Sequence, residues 1–144
     1  MGTRSLTHVL EDDGKVLVSI YRQFDGYPAV HGANLYEFLH DRTIVNGIRM
    51  DTPPKASNGM GCLAASLIGF LKGSEIGSIY IVYPNADATE AYTYTIYPSG
   101  KIRGFDNPQE EITLNLKVES YGKILFDGPI NSFNPYLEDD PGYQ

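Results

Sequence analysis

One connection in this chain carries more side-chain chemistry than a turn needs. Asp-Gly or Pro would suffice to reverse the chain, yet the segment also supplies an arginine, an amide and three aromatic rings, reading Tyr21-Arg22-Gln23-Phe24-Asp25-Gly26-Tyr27-Pro28. A guanidinium can bind a phosphate or carboxylate through two parallel hydrogen bonds. Aromatic rings pack against other flat rings. The segment therefore predicts a binding site for a small anionic ligand that contains a ring, with Tyr21, Phe24 and Tyr27 stacking on it.

Two arginines are expected to meet at this site. Arg4 precedes the first strand and Arg22 closes the second, so antiparallel pairing would bring both to one end of a hairpin. There they would neutralise phosphate. The alternative is that each arginine is solvated or paired with Asp25 or Glu37.

Polar side chains on and just beyond the connection would complete the site. Gln23, Asp25 and His31 are expected to read the polar edge of a base or ribose hydroxyls. Further along the chain, two glycines stand before a helix in Asn58-Gly59-Met60-Gly61. Exposed N–H groups at a helix start attract anions, so this segment predicts a phosphate cradle; a plain turn into a helix cap is the alternative.

Catalytic and metal-binding patterns are weak by comparison. Cys62 would lie in the first turn of a helix, where a thiol is activated, and His31 is its best available base. Free cysteine is nonetheless among the most buried residue types, so we expect Cys62 to be packed. No spacing of histidines or cysteines suits zinc. The sequence predicts no catalytic residues, no metal and no cofactor, and it leans away from an enzyme.

The composition of the chain indicates which classes of partner are unsuitable. The net charge of −7 disfavours nucleic acid, which requires a basic face. No apolar run is long enough to span a bilayer. The opening Met1-Gly2-Thr3-Arg4 lacks an apolar signal core, and a single cysteine suits a reducing compartment. We therefore expect a cytoplasmic protein without membrane contact.

Hydrophobic periodicity predicts an α+β fold. Alternating apolar residues indicate a mostly antiparallel sheet of about six or seven strands, and two helices are inserted after the first hairpin. The strands are expected near 4–10, 16–20, 79–83, 92–97, 101–105, 112–119 and 124–126, and the helices near 32–40 and 59–72. Asn46-Gly47 and Pro53-Pro54 predict a loop at residues 46–54. Residues 1–134 would form one domain, and 135–144 an acidic, loosely ordered tail.

The same motifs carry a resemblance. With its opening Met1-Gly2-Thr3-Arg4-Ser5-Leu6, its Tyr21–Pro28 block and its Asn58–Gly61 segment, the chain resembles a family of small bacteriophage and prophage proteins. The resemblance covers about residues 1–83 and implies no catalytic residues. It implies a phage protein acting in the host cytoplasm.

These observations predict a phage-type protein that sequesters a nucleotide-derived signal of host immunity, of the cyclic nucleotide or cyclic ADP-ribose type, without turning it over. A homo-oligomer is expected, with contacts through the tyrosine-rich strand at 92–97. Two alternatives remain open: a phosphodiesterase or hydrolase acting on such a ligand with His31 as base, or an inhibitor that binds a host protein through its tyrosine-rich sheet or its acidic tail.

Overall fold

The computed structural model describes residues 2–84, 91–100 and 112–136. Within these ranges the chain has the expected α+β fold. The strands are β1 (Ser5–Leu10), β2 (Val16–Arg22), β3 (Thr43–Val45), β4 (Ala56–Asn58), β5 (Ile79–Val82), β6 (Tyr92–Pro98), β7 (Leu114–Ser120) and β8 (Lys123–Pro129). The α-helices are α1 (Ala33–Leu39) and α2 (Gly59–Lys72). A turn of π-helix (Pro28–Gly32) leads into α1, and a 3-10 turn (Ile130–Ser132) follows β8.

Six strands form the main sheet in the order β5-β2-β1-β6-β7-β8. All neighbouring pairs are antiparallel except β1 and β6, which run parallel at the centre. Tight turns set the two hairpins: Gly14 has a φ of 89° between β1 and β2, and Gly122 has a φ of 82° between β7 and β8. Glycine adopts such left-handed conformations without steric cost. The prediction of a mostly antiparallel sheet is therefore confirmed.

One hydrophobic core joins the sheet to both helices. Strands alternate, so every second residue of β6 and β7 is buried. Burial of each large aliphatic side chain contributes about 1.5–3 kcal/mol. The fully buried members of the core are Val9, Leu35, Leu39, Leu63, Leu67, Tyr94, Ile96, Leu116 and Val118.

The loop expected at residues 46–54 is confirmed, and two short strands that the sequence did not reveal flank it. β3 and β4 pair in parallel, with Ile44 opposite Ser57. Three-residue strands are too short to show an alternating pattern, which explains why the sequence did not reveal them.

The expectation that Cys62 is packed is wrong, because the thiol is exposed. Helix α2 buries one face, which includes Leu63 and Leu67. Cys62 lies about 100° around the helix from Leu63, on the side away from the sheet.

Some expectations fall outside the described residues: the strand at 101–105, and the part of the tail at 137–144. The tyrosine-rich strand is described as β6 and lies inside the sheet. Both of its edges are paired, and Tyr92 and Tyr94 point into the core. In the described part of the chain, no helix is both long and apolar enough to cross a membrane.

Candidate functional site

Arg22 is the centre of the candidate site. It ends β2 on the helix-covered face of the sheet, beside Ser5 of β1. Its Nε donates to the carbonyl of Phe24 at 2.8 Å. Its Nη1 lies 3.0 Å from Nδ1 of His31 and 2.8 Å from Oδ1 of Asn34. The guanidinium is therefore held in one orientation by the connection that follows it and by the start of α1.

His31 is fully buried beneath this guanidinium. Its Nε2 is 2.7 Å from the hydroxyl of Thr7, and the edge of its ring contacts Tyr94 with centroids 4.7 Å apart. Burial and, second, the charge of Arg22 together lower the pKa of His31 to about 3. Because Arg22 donates to Nδ1, the imidazole is neutral, carries its proton on Nε2 and donates it to Thr7.

The structure thus gives His31 a position different from the one that the sequence suggested. Both of its nitrogens are engaged and none of its surface is exposed. A general base must reach the proton that it removes, and a residue that reads a ligand must touch it. In this conformation His31 instead holds Arg22 in place.

The connection itself is fixed against the N-terminal segment. The hydroxyl of Tyr94 donates to the carbonyl of Gly26 at 2.6 Å, and the N–H of Gly26 donates to the carbonyl of Thr3 at 2.8 Å. A Cβ at Gly26 would lie only 2.8 Å from the Cβ of Ser5, so glycine is required for this close approach. The turn therefore has a defined conformation.

Removal of the Tyr94 hydroxyl should loosen this turn. We expect Tyr94→Phe to lower the free energy of unfolding by about 1–2 kcal/mol, because the buried carbonyl of Gly26 loses its donor. Denaturant titration measures the change. Tyr83→Phe is the matched control, since Tyr83 is exposed, and it should stay within about 0.5 kcal/mol of the wild type. Equal effects of the two changes would contradict this role for Tyr94.

The electrostatics of Arg22 follow from its partly buried position. Burial lowers the pKa of its guanidinium, and the nearby charges of Asp25 and Glu75 act in the opposite direction. An arginine remains protonated at neutral pH even so. In the described part of the chain, Nη2 has no acceptor. The buried hydroxyl of Ser5, the residue opposite Arg22 in the hairpin, has no hydrogen-bond partner there either.

Three of the predicted residues follow Arg22 on the connection. Phe24 is 47% exposed, Asp25 is exposed with a left-handed φ of 60°, and Tyr27 is half-buried against the core. Gln23 is half-buried, and its N–H donates to the carbonyl of Ser78. The connection therefore carries an exposed ring (Phe24), an exposed carboxylate (Asp25) and the fixed guanidinium of Arg22 on one short segment.

Two other predicted residues lie on the opposite side of the strands. Tyr21 precedes Arg22 along β2, so it points to the face away from the helices, where its ring lies 6.1 Å from that of Tyr80. Arg4 precedes Ser5 in the same way and is exposed. The structure does not bring the side chains of Arg4 and Arg22 into one cluster, although their backbones are close.

The segment Asn58–Gly61 lies at the far end of α2. The last helical residue, Lys72, donates from Nζ to the carbonyl of Ile79, which pairs with Arg22. A helix of 14 residues is about 20 Å long, so its start is that far from this end of the sheet. Met60 is buried, and Oδ1 of Asn58 accepts from the N–H of Gly47.

Arg42 is a cation close to the start of α2. Its guanidinium lies 3.9 Å from the ring centroid of Phe38 and donates to Ser57. Arg42 also borders a small cavity of about 80 Å³ beside Asp41 and Asn131. Pockets for small ligands usually have volumes of about 300–1,000 Å³, so this cavity is too small for a nucleotide.

Sequence reasoning missed the residues that hold Arg22 and His31: Thr7, Asn34 and Tyr94. Asn34 follows His31 by three residues, a spacing that puts both on one side of a helical turn, and this was the one local signal available. Thr7 and Tyr94 come from distant strands and are recognisable only from the tertiary structure.

Within residues 2–84, 91–100 and 112–136, no three histidine, cysteine, aspartate or glutamate side chains cluster closely enough to hold a metal ion. Comparisons of the chain with protein-family models, with curated proteins and with solved structures find no match.

Proposed function

We propose that this protein binds, without chemical turnover, a small anionic ligand with a flat ring, of the class of nucleotide-derived signals, at the connection around Arg22. The supporting observation is the guanidinium itself. Its Nε and Nη1 are fixed by Phe24, His31 and Asn34, while Nη2 has no acceptor among the described residues. A charged donor held rigidly in this way loses little entropy when an anion binds.

The neighbouring side chains support a ring-bearing ligand. Phe24 and Tyr27 follow Arg22 on the same connection, and the ring of Phe24 is half exposed. An aromatic contact adds about 0.5–1.5 kcal/mol beyond its buried area. The carboxylate of Asp25 can accept hydrogen bonds from ribose hydroxyls. These side chains therefore favour a ligand with a phosphate close to Arg22 and with its sugar and base directed toward the connection.

Capture is favoured over hydrolysis because the most plausible base is unsuitable. His31 is buried with both nitrogens engaged, and its pKa of about 3 leaves it a very weak base at neutral pH. Sequestration of a nucleotide-derived signal of host immunity, as in the cyclic nucleotide or cyclic ADP-ribose class, requires no base. This narrower assignment rests on the resemblance to phage proteins.

The decisive experiment measures binding of cyclic ADP-ribose and of cyclic dinucleotides by calorimetry. We expect Arg22→Gln to weaken binding at least tenfold, because the charged donor is lost. Arg4→Gln is the matched control: it makes the same change in net charge at an exposed arginine on the other side of the strand, and it should change binding less than threefold. Equal losses in both variants, or none in Arg22→Gln, would contradict the proposed site.

Turnover is tested on the same samples. After incubation the protein is denatured, and the released ligand is identified by mass spectrometry. Full recovery of intact ligand is the expected result. A hydrolysed product in stoichiometric excess over protein would overturn capture in favour of an enzyme.

A further inference from the structure

The two edges of the main sheet differ in a way that points to a second copy of this chain. Edge strands that must stay unpaired usually carry lysine, proline, inward-pointing charges or a bulge. β8 has several of these devices: Lys123, Pro129 and a bulge opposite Val118 and Glu119. Its outer edge is therefore protected against further pairing.

β5 has none of these devices. It reads Ile79-Tyr80-Ile81-Val82, and it pairs with β2 in regular register without a bulge. No described strand pairs with its outer edge. Ile81 is 64% exposed, and Tyr83 just beyond the strand is 82% exposed. The outer edge of this four-residue strand thus combines backbone groups unpaired by any described strand with large, exposed apolar side chains.

We propose that β5 pairs antiparallel with β5 of a second copy across a two-fold axis, which joins the two six-stranded sheets into one of twelve strands. An axis perpendicular to the sheet keeps helix-side residues on the helix side. Ile81 then lies opposite its own copy, and Tyr80 lies opposite Val82. The outward N–H and C=O groups of β5 in each copy then hydrogen-bond to those of the other copy.

The lack of charge on β5 favours a second copy of this chain as the partner of this edge. In an isologous contact, the residues near the axis face themselves, so any charge there would face a like charge. The protein has a net charge of −7, yet β5 has no charged residue. Among the described residues, charged groups close to β5 include Arg22, which pairs with Ile79 on the inner side of the strand, and Lys72, whose Nζ already donates to the carbonyls of Gly77 and Ile79.

The available area also fits a dimer. The exposed apolar side chains on β5 and its flanking residues are Ile76, Tyr80, Ile81 and Tyr83. Together they present on the order of 600 Å² per copy, close to the roughly 800 Å² that each partner buries in a standard interface. The proposal does not depend on the ligand site.

The mass of the full chain in solution tests the proposal. Light scattering after gel filtration should give about twice 15.9 kDa at micromolar concentration. We expect Ile81→Lys to raise the dissociation constant of the dimer at least tenfold, because it places two lysines opposite each other at the axis. Circular dichroism should show an unchanged fold, since Ile81 is largely exposed.

Ile124→Lys is the matched control. Ile124 is 53% exposed on the protected edge β8, so the same substitution there should leave the dimer intact. A monomeric wild type overturns the proposal. So does a dimer that Ile124→Lys dissociates and Ile81→Lys does not.

A cross-link reads out the register directly. In a Cys62→Ser background, Ile81→Cys should form a disulfide between copies on mild oxidation, because facing residues of paired strands lie within disulfide reach. Ile124→Cys should not. A cross-link at residue 124 alone would place the interface on the other edge and overturn the proposal.

Discussion

Replacement of His31 by leucine should destabilise the protein by about 3–5 kcal/mol. The imidazole is fully buried and ties the turn before α1 to both strands of the first hairpin, β1 through Thr7 and the end of β2 through Arg22. Leucine has a comparable volume but no polar atom. The hydroxyl of Thr7 and one donor of a partly buried guanidinium would both lose a partner, and each such loss costs about 1–3 kcal/mol.

Chemical denaturation of the two proteins measures this difference. His40→Leu is the matched control. The ring of His40 stacks on Tyr36 with centroids 4.8 Å apart, but it is only partly buried and lies at the end of α1. We expect that change to cost less than about 1 kcal/mol. If His31→Leu costs no more than His40→Leu, the polar cluster around Arg22 does not hold this end of the fold together.

Acid should destabilise the protein through the same side chain. The pKa of His31 is about 3 in the folded state and 6.5 in the unfolded state. As pH falls below about 6.5, the unfolded chain binds a proton that the folded protein does not bind until about pH 3. The contribution of His31 to the free energy of unfolding is therefore fully present above pH 6.5, the pKa in the unfolded state. It declines as the pH falls toward 3, the pKa in the folded state, by up to about 1.4 kcal/mol per pH unit.

A variant that cannot titrate isolates this effect. His31→Gln keeps an amide donor and acceptor near the ring position but binds no proton. We expect the stability advantage of the wild type over His31→Gln to shrink by about 2–3 kcal/mol between pH 7 and pH 4.5. All carboxylates are common to both proteins, so their titration largely cancels in the difference. Parallel stability curves would show that His31 is not the buried neutral group described above.

The same neutral imidazole links the fold to the proposed binding site. Arg22 can be fixed by His31 only while Nδ1 is free to accept, which requires an uncharged ring. Two cationic groups 3.0 Å apart would repel each other, so protonation of His31 would release the guanidinium. The low pKa of His31 is thus a condition for holding the arginine in its binding orientation at neutral pH.

Much of the architecture was predictable because it depends on local patterns. Alternation along β1, β2, β6 and β7 follows directly from the two-residue period of a strand, and the turn at Gly14 follows from the left-handed conformation that glycine tolerates. The short strands β3 and β4 were missed, since three residues cannot establish a period.

The candidate site was only partly predictable. The sequence singled out Arg22 and its connection because these residue types exceed what a turn requires. It could not show that Tyr21 and Arg22 point to opposite faces of the sheet, because that depends on which face the helices cover. The sequence also could not show that Asn58–Gly61 lies far from Arg22. The segment is at the start of α2, whereas Arg22 lies near the end of this helix.

By itself, the sequence determined the α+β class, the hairpin turns, the mostly antiparallel sheet and the segment with unusual chemistry, because each depends on neighbours within a few residues. Tertiary structure alone decided the burial of His31, its contacts with Thr7 and Tyr94, the exposure of Cys62 and the position of β5 at an unprotected edge. These features arise from contacts between residues far apart in the chain, and burial, which sets the protonation of an imidazole, exists only after those contacts have formed.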